Sequence, residues 1–230
     1  MIFSFEEANE QVKKLLLAYP DLCIYERNND RIQLKGSILV YRCVDDYTLR
    51  KRYQIEIIIP VNSEELPLVK DADRAINRSY RHVYSNGALC LETEISILRR
   101  FINGFDLIVW MEEFVEPYFV TYEYYSEYGR FPYGEREHGS EGVLQSYQDI
   151  FGTDDYTKTY DIARFIRDHK YRGHLGCPCG SGKRIRNCHG AIMRLFYDHE
   201  YLMNQVTKDM NRLDAELRAY YARRNTETSK

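Results

Sequence analysis

No run in the chain approaches the roughly 18 apolar residues that a membrane-spanning helix requires. The first residues, Met1-Ile2-Phe3-Ser4-Phe5-Glu6-Glu7, are acidic where a secretory leader would be basic. A soluble, cytoplasmic protein is expected. Neither sign of charge dominates: 32 Lys and Arg face 35 Asp and Glu, a formal net charge of -3. A chain-wide cationic surface for nucleic acid is thereby excluded. Proline is scarce, at six residues, and there is one tryptophan. The 13 glycines form no phosphate-cradling loop between a strand and a helix, so no adenylation apparatus is expected. Internal repeats are absent. Six cysteines without a leader do not describe a secreted disulfide framework; in a reducing compartment they are thiols, metal ligands or nucleophiles.

What is present is a hydrophobic fraction of 44% over 230 residues, enough for a core in one domain with an appendage. Tyrosine is abundant, 21 in all, with six between Tyr118 and Tyr133.

Ser4-x-x-Glu7 is a capping box, and Phe5, Ala8, Val12, Leu15 and Leu16 follow at helical spacing, predicting a helix that ends near Tyr19-Pro20. Strands are predicted next. Leu22–Glu26 is short, and Asn28-Asn29-Asp30 turns the chain. Ile32, Leu34, Ile38 and Val40 share a face with Gly36 as a bulge, and Tyr47 to Ile59 alternates apolar with polar. Leu66–Val69 predicts a last edge strand. Residues 105–128 read as a helix kinked or broken at Pro117, and 143–151 as a helix ended by Gly152. Helices over about 156–170 and 190–223 flank a cysteine cluster, and residues 225–230 are expected to fray. The order argues for an α+β fold, with a first domain over 1–152, a boundary at Thr153-Asp154-Asp155 and a second, helical domain over 153–230.

Cys23 and Cys43 lie in strand-like runs and read as small buried hydrophobes. Cys90 follows the tight-turn pair Asn86-Gly87, with His82 eight residues upstream and able to fold back beside it. A thiol beside an imidazole is either a nucleophile or a buried thiol near a surface histidine, and composition leaves both open.

A helix, three antiparallel strands, a Pro-containing passage and Asn86-Gly87-Ala88-Leu89-Cys90-Leu91 resemble the ubiquitin-conjugating (E2-like) fold over residues 1–152. The passage Ile57-Ile58-Ile59-Pro60 and Leu66-Pro67-Leu68-Val69 is similar to the family's approach to its active site. The family's His-Pro-Asn box would fall on Tyr80-Arg81-His82, so an imidazole stands where the family has its asparagine. An imidazole can donate a hydrogen bond to an oxyanion, as asparagine does, and can also act as a base. The variant resembles the prokaryotic E2-like proteins of CBASS-type anti-phage operons; residues 129–139 either are a Tyr- and Gly-rich loop packed over the core or, being similar to a post-catalytic segment of that family, bring His138 to the border of the active site. The resemblance implies a thioester transferase. Cys90 would carry a protein C-terminus, expected to be that of a cGAS-like nucleotidyltransferase, and an amine would then receive it. Activation would come from a separate E1-like protein, or the chain would manage without one. The alternative is a catalytically idle E2-like scaffold whose C-terminal module binds a protein or nucleic acid. A cysteine hydrolase would need an acid to orient His82, and the directions of Glu92 and Glu94 are open.

Cys177-x-Cys179 and Cys188-His189 supply three thiols and an imidazole, a complete tetrahedral set for a structural zinc ion, with Gly180 and Gly182 turning the loop. His174 is an alternative fourth ligand. The pattern closely resembles the SEC-C motif. Seven Lys or Arg between Arg164 and Arg186, against Asp168 alone, form a local basic patch. It is either a solvated face or a contact for nucleic acid or an acidic tail. Leu195, His199, Leu202, Val206, Met210, Leu213, Leu217 and Tyr220 form a heptad-like stripe that packs within the chain or on a second one, with His199 a packed histidine.

Overall fold

The structure is a computed structural model that describes residues 2–134 and 137–227, with side chains to residue 223. It is α+β, as expected, and its chain divides into two compact units: residues 1–92 with 101–135, and residues 93–100 with 136–230. The expected boundary at 153–155 therefore lies inside the second unit.

In the first unit, helix α1 (Phe5–Ala18) starts on the capping box: Ser4 Oγ accepts from the Glu7 amide at 3.2 Å, and the Ser4 amide donates to the Glu7 carboxylate at 2.8 Å. Strands β1 (Leu22–Arg27), β2 (Arg31–Val44), β3 (Tyr47–Pro60) and β4 (Leu68–Asp71) form an antiparallel meander in the order β1-β2-β3-β4. The β2–β3 pairing holds without a slip from Arg31–Pro60 to Val44–Tyr47. Period-two alternation then puts Ile32, Leu34, Ile38, Val40, Tyr53, Ile55, Ile57 and Ile59 on one buried face. Each such side chain taken from water contributes roughly 1.5–3 kcal/mol.

The other face of β2 is exposed toward its end, at Leu39 and Tyr41, and this decides the two isolated cysteines. Cys23 and Cys43 are exposed rather than buried, because each neighbours an inward residue, Leu22 or Val44, and so points outward. Gly36 is not a bulge either: it stays in register opposite Ile55, and the pairing irregularity falls at Ile24/Glu26 in β1. Glycine is required at 36 for another reason. A Cβ there would sit 2.1 Å from the Asp21 carbonyl oxygen, at φ +150°.

Helix α3 (Leu107–Trp110) opens on Asp106, whose carboxylate accepts from the amides of Ile108 and Val109. It passes through one π turn (Met111–Val115) into α4 (Glu116–Tyr128), which Gly129 ends in the left-handed conformation. Pro117 neither stops nor breaks this helix. The widened turn lies just ahead of it, where its ring and missing N–H would otherwise disturb the preceding carbonyls. Helix α4 packs on β2 and β3, with Phe119 stacked on Tyr53 at 4.1 Å between centroids. Buried Glu116 accepts from Tyr19 Oη at 2.7 Å and Arg42 Nε at 2.6 Å, tying α4 to α1 and β2.

The second unit holds α2 (Glu94–Arg100), α5 (Gly139–Phe151), α6 (Tyr156–Asp168), α7 (Gly190–Asp198) and α8 (Glu200–Glu227). Helix α5 packs on α6 and α8, so the turn at 152–155 connects neighbours rather than separating domains. The expected single helix over 190–223 is two helices, because His199 is extended (φ -127°, ψ 106°). The stripe nevertheless works within the unit. Leu202, Val206, Met210 and Leu213 are buried on α8, which packs on α2, α5, α6 and α7, while Leu217 and Tyr220 beyond them are exposed. His199 is half-buried, its Nδ1 3.4 Å from Tyr201 Oη. Of the expected frayed end, the backbone is helical to Glu227, and residues 228–230 lie outside the described residues. No helix among the described residues is long and apolar enough to cross a membrane.

Gly36→Ala should lower unfolding free energy by about 2 kcal/mol or more, since strand and carbonyl must both move. Urea denaturation followed by circular dichroism checks this; an unchanged midpoint would mean that the β1–β2 approach is loose.

Candidate functional site

Cys90 sits on a short antiparallel pairing that extends from the sheet. Tyr84 and Gly87 close the turn, with the Gly87 amide donating to Tyr84 O at 2.8 Å and the Tyr84 amide to Ala88 O at 2.8 Å. Gly87 adopts φ +81°, and Asn86 Oδ1 accepts from the Ala88 amide at 3.0 Å, which are the two services an Asn-Gly pair performs. The Leu89 amide donates to Val69 O at 2.8 Å and so ties the piece to β4. The Cys90 amide donates to His82 O at 2.8 Å, and Val83 pairs with Leu89. Alternation along this pairing puts His82, Tyr84 and Cys90 on one face and Leu89, which is buried, on the other. The fold-back of His82 onto Cys90 that the spacing predicted is therefore present in the backbone.

Two residues of this site were not singled out from sequence. Tyr84 lies diagonally across from Cys90 and hydrogen-bonds its sulfur. Tyr118, on α4, donates to His82 O at 3.0 Å and braces the same strand from behind. Tyr84 follows from the register: once the turn at 86–87 is placed, residue 84 must share a face with 82 and 90, whereas Tyr118 arrives from a helix distant in sequence. The tyrosine-rich segment has a matching role. Tyr80 packs within 5.0 Å of Tyr122 and 5.2 Å of the His82 ring, and Phe131 lies 5.6 Å from that ring and stacks on Tyr125 at 4.5 Å. An aromatic wall thus flanks His82, and Phe131 is the part of the segment 129–139 that joins it. Glu135 and Arg136 of that segment lie outside the described residues, and His138 directly precedes α5 in the second unit.

Burial pushes the Cys90 thiol up, the Tyr84 hydrogen bond holds it down, and the nearby Glu92 charge raises it further; the net direction is upward. Cys90 is accordingly a protonated thiol at neutral pH. Glu94 stands in the first turn of α2, in the other unit.

The second cluster is a closed set. Cys177, Cys179, Cys188 and His189 bring their ligand atoms within 4.8 Å of one another. Cys177 Sγ lies 3.2 Å and Cys188 Sγ 3.3 Å from His189 Nδ1, and Cys179 Sγ lies 3.6 Å from Cys188 Sγ. With metal–sulfur bonds of about 2.3 Å, a tetrahedron has edges near 3.7 Å, so the four atoms could hold one metal ion with no open position. His189, not the exposed His174, joins the set. The knuckle is built by Cys177 donating its amide to Lys183 O at 2.8 Å, with Gly180 and Gly182 at φ +75° and +72°. Burial pushes the Cys177 thiol up, to about 11. Burial opposes ionisation of Cys179 as well, but hydrogen bonds from the Ser181 hydroxyl and amide and from the two neighbouring cysteines bring it down to about 6. A thiol already inclined to ionise is a ready ligand. Comparison of the chain with protein-family models, curated proteins and solved structures finds no match.

Two outcomes are expected. Alkylation of Cys90, followed on its own peptide by mass spectrometry, should keep accelerating past about pH 8.5, where an ordinary thiol is half-ionised. Tyr84→Phe should move the curve further up, because the thiolate loses a hydrogen bond; a plateau below pH 8 would contradict the burial of the thiol. Cys179→Ser should remove bound metal measured by plasma mass spectrometry, whereas His174→Ala should retain it.

Proposed function

We propose that the chain is an E2-like cysteine transferase, acting in bacterial anti-phage defence, with a zinc-bearing SEC-C-type module. The reading rests on one observation above all: the Cys90 amide bonded to His82 O at 2.8 Å, which sets the thiol and the imidazole-bearing residue side by side at the end of an antiparallel meander. In the proposed reaction Cys90 Sγ attacks the activated C-terminal carbonyl of a protein, expected to be a cGAS-like nucleotidyltransferase. The activating group leaves with its electron pair, and the thiol proton passes to base. An amine then attacks the thioester, the C–S bond breaks, and an amide and the free thiol result. His82 supplies a hydrogen bond to the oxyanion or takes the amine proton. Activation falls to a separate E1-like protein, or the chain manages without one. In the metal module Cys177, Cys179, Cys188 and His189 hold zinc, which supplies a structural cross-link and no open coordination position.

The raised Cys90 thiol favours a second reading, an E2-like scaffold without catalysis that binds its partner non-covalently. Intact mass measurement and reducing versus non-reducing gels separate the two, using the chain co-expressed with a cGAS-like cyclase, with and without an E1-like activating protein. A thiol-labile adduct is expected with the native residue and none with Cys90→Ala, while Cys90→Ser should trap a thiol-stable oxyester or give no adduct. A stable complex without any adduct would overturn the transferase in favour of the scaffold.

A further inference from the structure

Residues 170–177 alternate between solvent and interior: Lys170, Arg172, His174 and Gly176 are exposed, and Tyr171, Gly173, Leu175 and Cys177 are turned inward to differing depths. This stretch runs antiparallel to 183–186. The Arg186 amide donates to Gly173 O at 3.0 Å, the Ile185 amide to Leu175 O at 2.8 Å, and Gly176 bridges to Arg184. Lys183, Arg184 and Arg186 are exposed on that second arm, around the buried Ile185. Five cations, Lys170, Arg172, Lys183, Arg184 and Arg186, therefore share one small knuckle.

The rest of the basic segment is engaged elsewhere. Arg167 pairs with Asp168 and Asp214, each at 2.7 Å, and Arg164 lies 3.5 Å from Asp168. None of the five knuckle cations has a carboxylate in ion-pair reach among the described residues. Thiolate charge does not account for them: a divalent ion with three thiolates and a neutral imidazole leaves one net negative charge. Nor does the face suit a protein partner. Between residues 170 and 187 every exposed residue is polar, charged or glycine, so the apolar anchors that carry protein interfaces are missing. Gly180 and Gly182 have open space where a side chain would stand, which permits close approach to the turn. Three of the five cations are arginines, whose forked donors match phosphate oxygens.

We infer that the knuckle face binds the phosphodiester backbone of a nucleic acid, without base specificity. It does so on a chain whose net charge is -3, so the binding is local to this unit. The test is fluorescence anisotropy of a labelled 20-nucleotide oligothymidylate and its RNA counterpart, titrated with the full zinc-loaded chain at several salt concentrations. Five phosphate contacts on a single strand predict a log–log salt slope of roughly -3 to -4. The charge reversal R184E/R186E should weaken binding at least tenfold with metal content unchanged. A milder R172Q/R184Q pair guards against misfolding and should weaken it severalfold. Reversal of exposed Lys13 and Lys14 on α1 should leave binding as it was. Absence of binding at low salt, equal binding by R184E/R186E, or tighter binding of a polyglutamate peptide than of either oligonucleotide would overturn the inference.

Discussion

The pairing of residues 82–84 with 88–90 is the constraint on which the rest of the candidate site depends. A turn of three intervening residues, closed by Gly87 in a conformation that disfavours side chains, leaves one register open to the two arms. That register hydrogen-bonds the Cys90 amide to His82 and places Tyr84 on the same face. A slip of one residue would turn Cys90 to the buried side, where Leu89 now is, and bring Leu89 out to solvent. The register is braced on two sides, by Val69 of β4 and by Tyr118 of α4. The chemistry proposed for Cys90 is thus a consequence of sheet geometry before it is one of side-chain reactivity.

The meander supports this site through the face that α4 covers. Helix α4 lies on the buried face, held by Glu116 and by the Tyr53–Phe119 stack, and its tyrosines reach the strand of His82. This accounts for Tyr118, Tyr122 and Tyr125 of the tyrosine-rich segment, while Tyr124 and Tyr128 pack on Tyr47 and Tyr133 is exposed. Residues on successive turns of α4, with Phe131 beyond it, supply rings and a hydroxyl to Tyr80 and His82. Cys23 and Cys43 lie at the surface, their thiols hydrogen-bonded to Lys35 O and Thr48 at 3.3 Å. Three cysteines of one chemical type thus stand in two environments, and the half-buried one is the one whose amide bonds to the His82 carbonyl.

The second unit solves a different problem. Its helices bury the α8 stripe and the polar pair Tyr147–Asp209, joined at 2.9 Å. The knuckle between α6 and α7 has too few apolar residues to hold its shape by packing. Its backbone pairing supplies part of the missing constraint, and a metal ion held by the convergent Cys/His set would supply the rest, as small domains with little core require. Free of core packing, its outer residues are polar, cationic or glycine, with no acidic residue among them.

By itself the sequence determined whatever depends on near neighbours. The capping box, the strand alternation of β2 and β3, the Asn86-Gly87 turn and the Cys177–His189 ligand spacing are all short-range, and each is where it was expected. Tertiary structure decided what depends on which surfaces meet. The Gly36 close approach to Asp21 and the joining of α2 and α5 to α8 turn on contacts distant in sequence. The same holds for Tyr118, whose hydroxyl reaches a carbonyl 36 residues away. Local patterns carry their own hydrogen-bond partners within a turn or two of chain. Alternation within a strand marks its apolar face, but which element covers that face depends on partners distant in sequence.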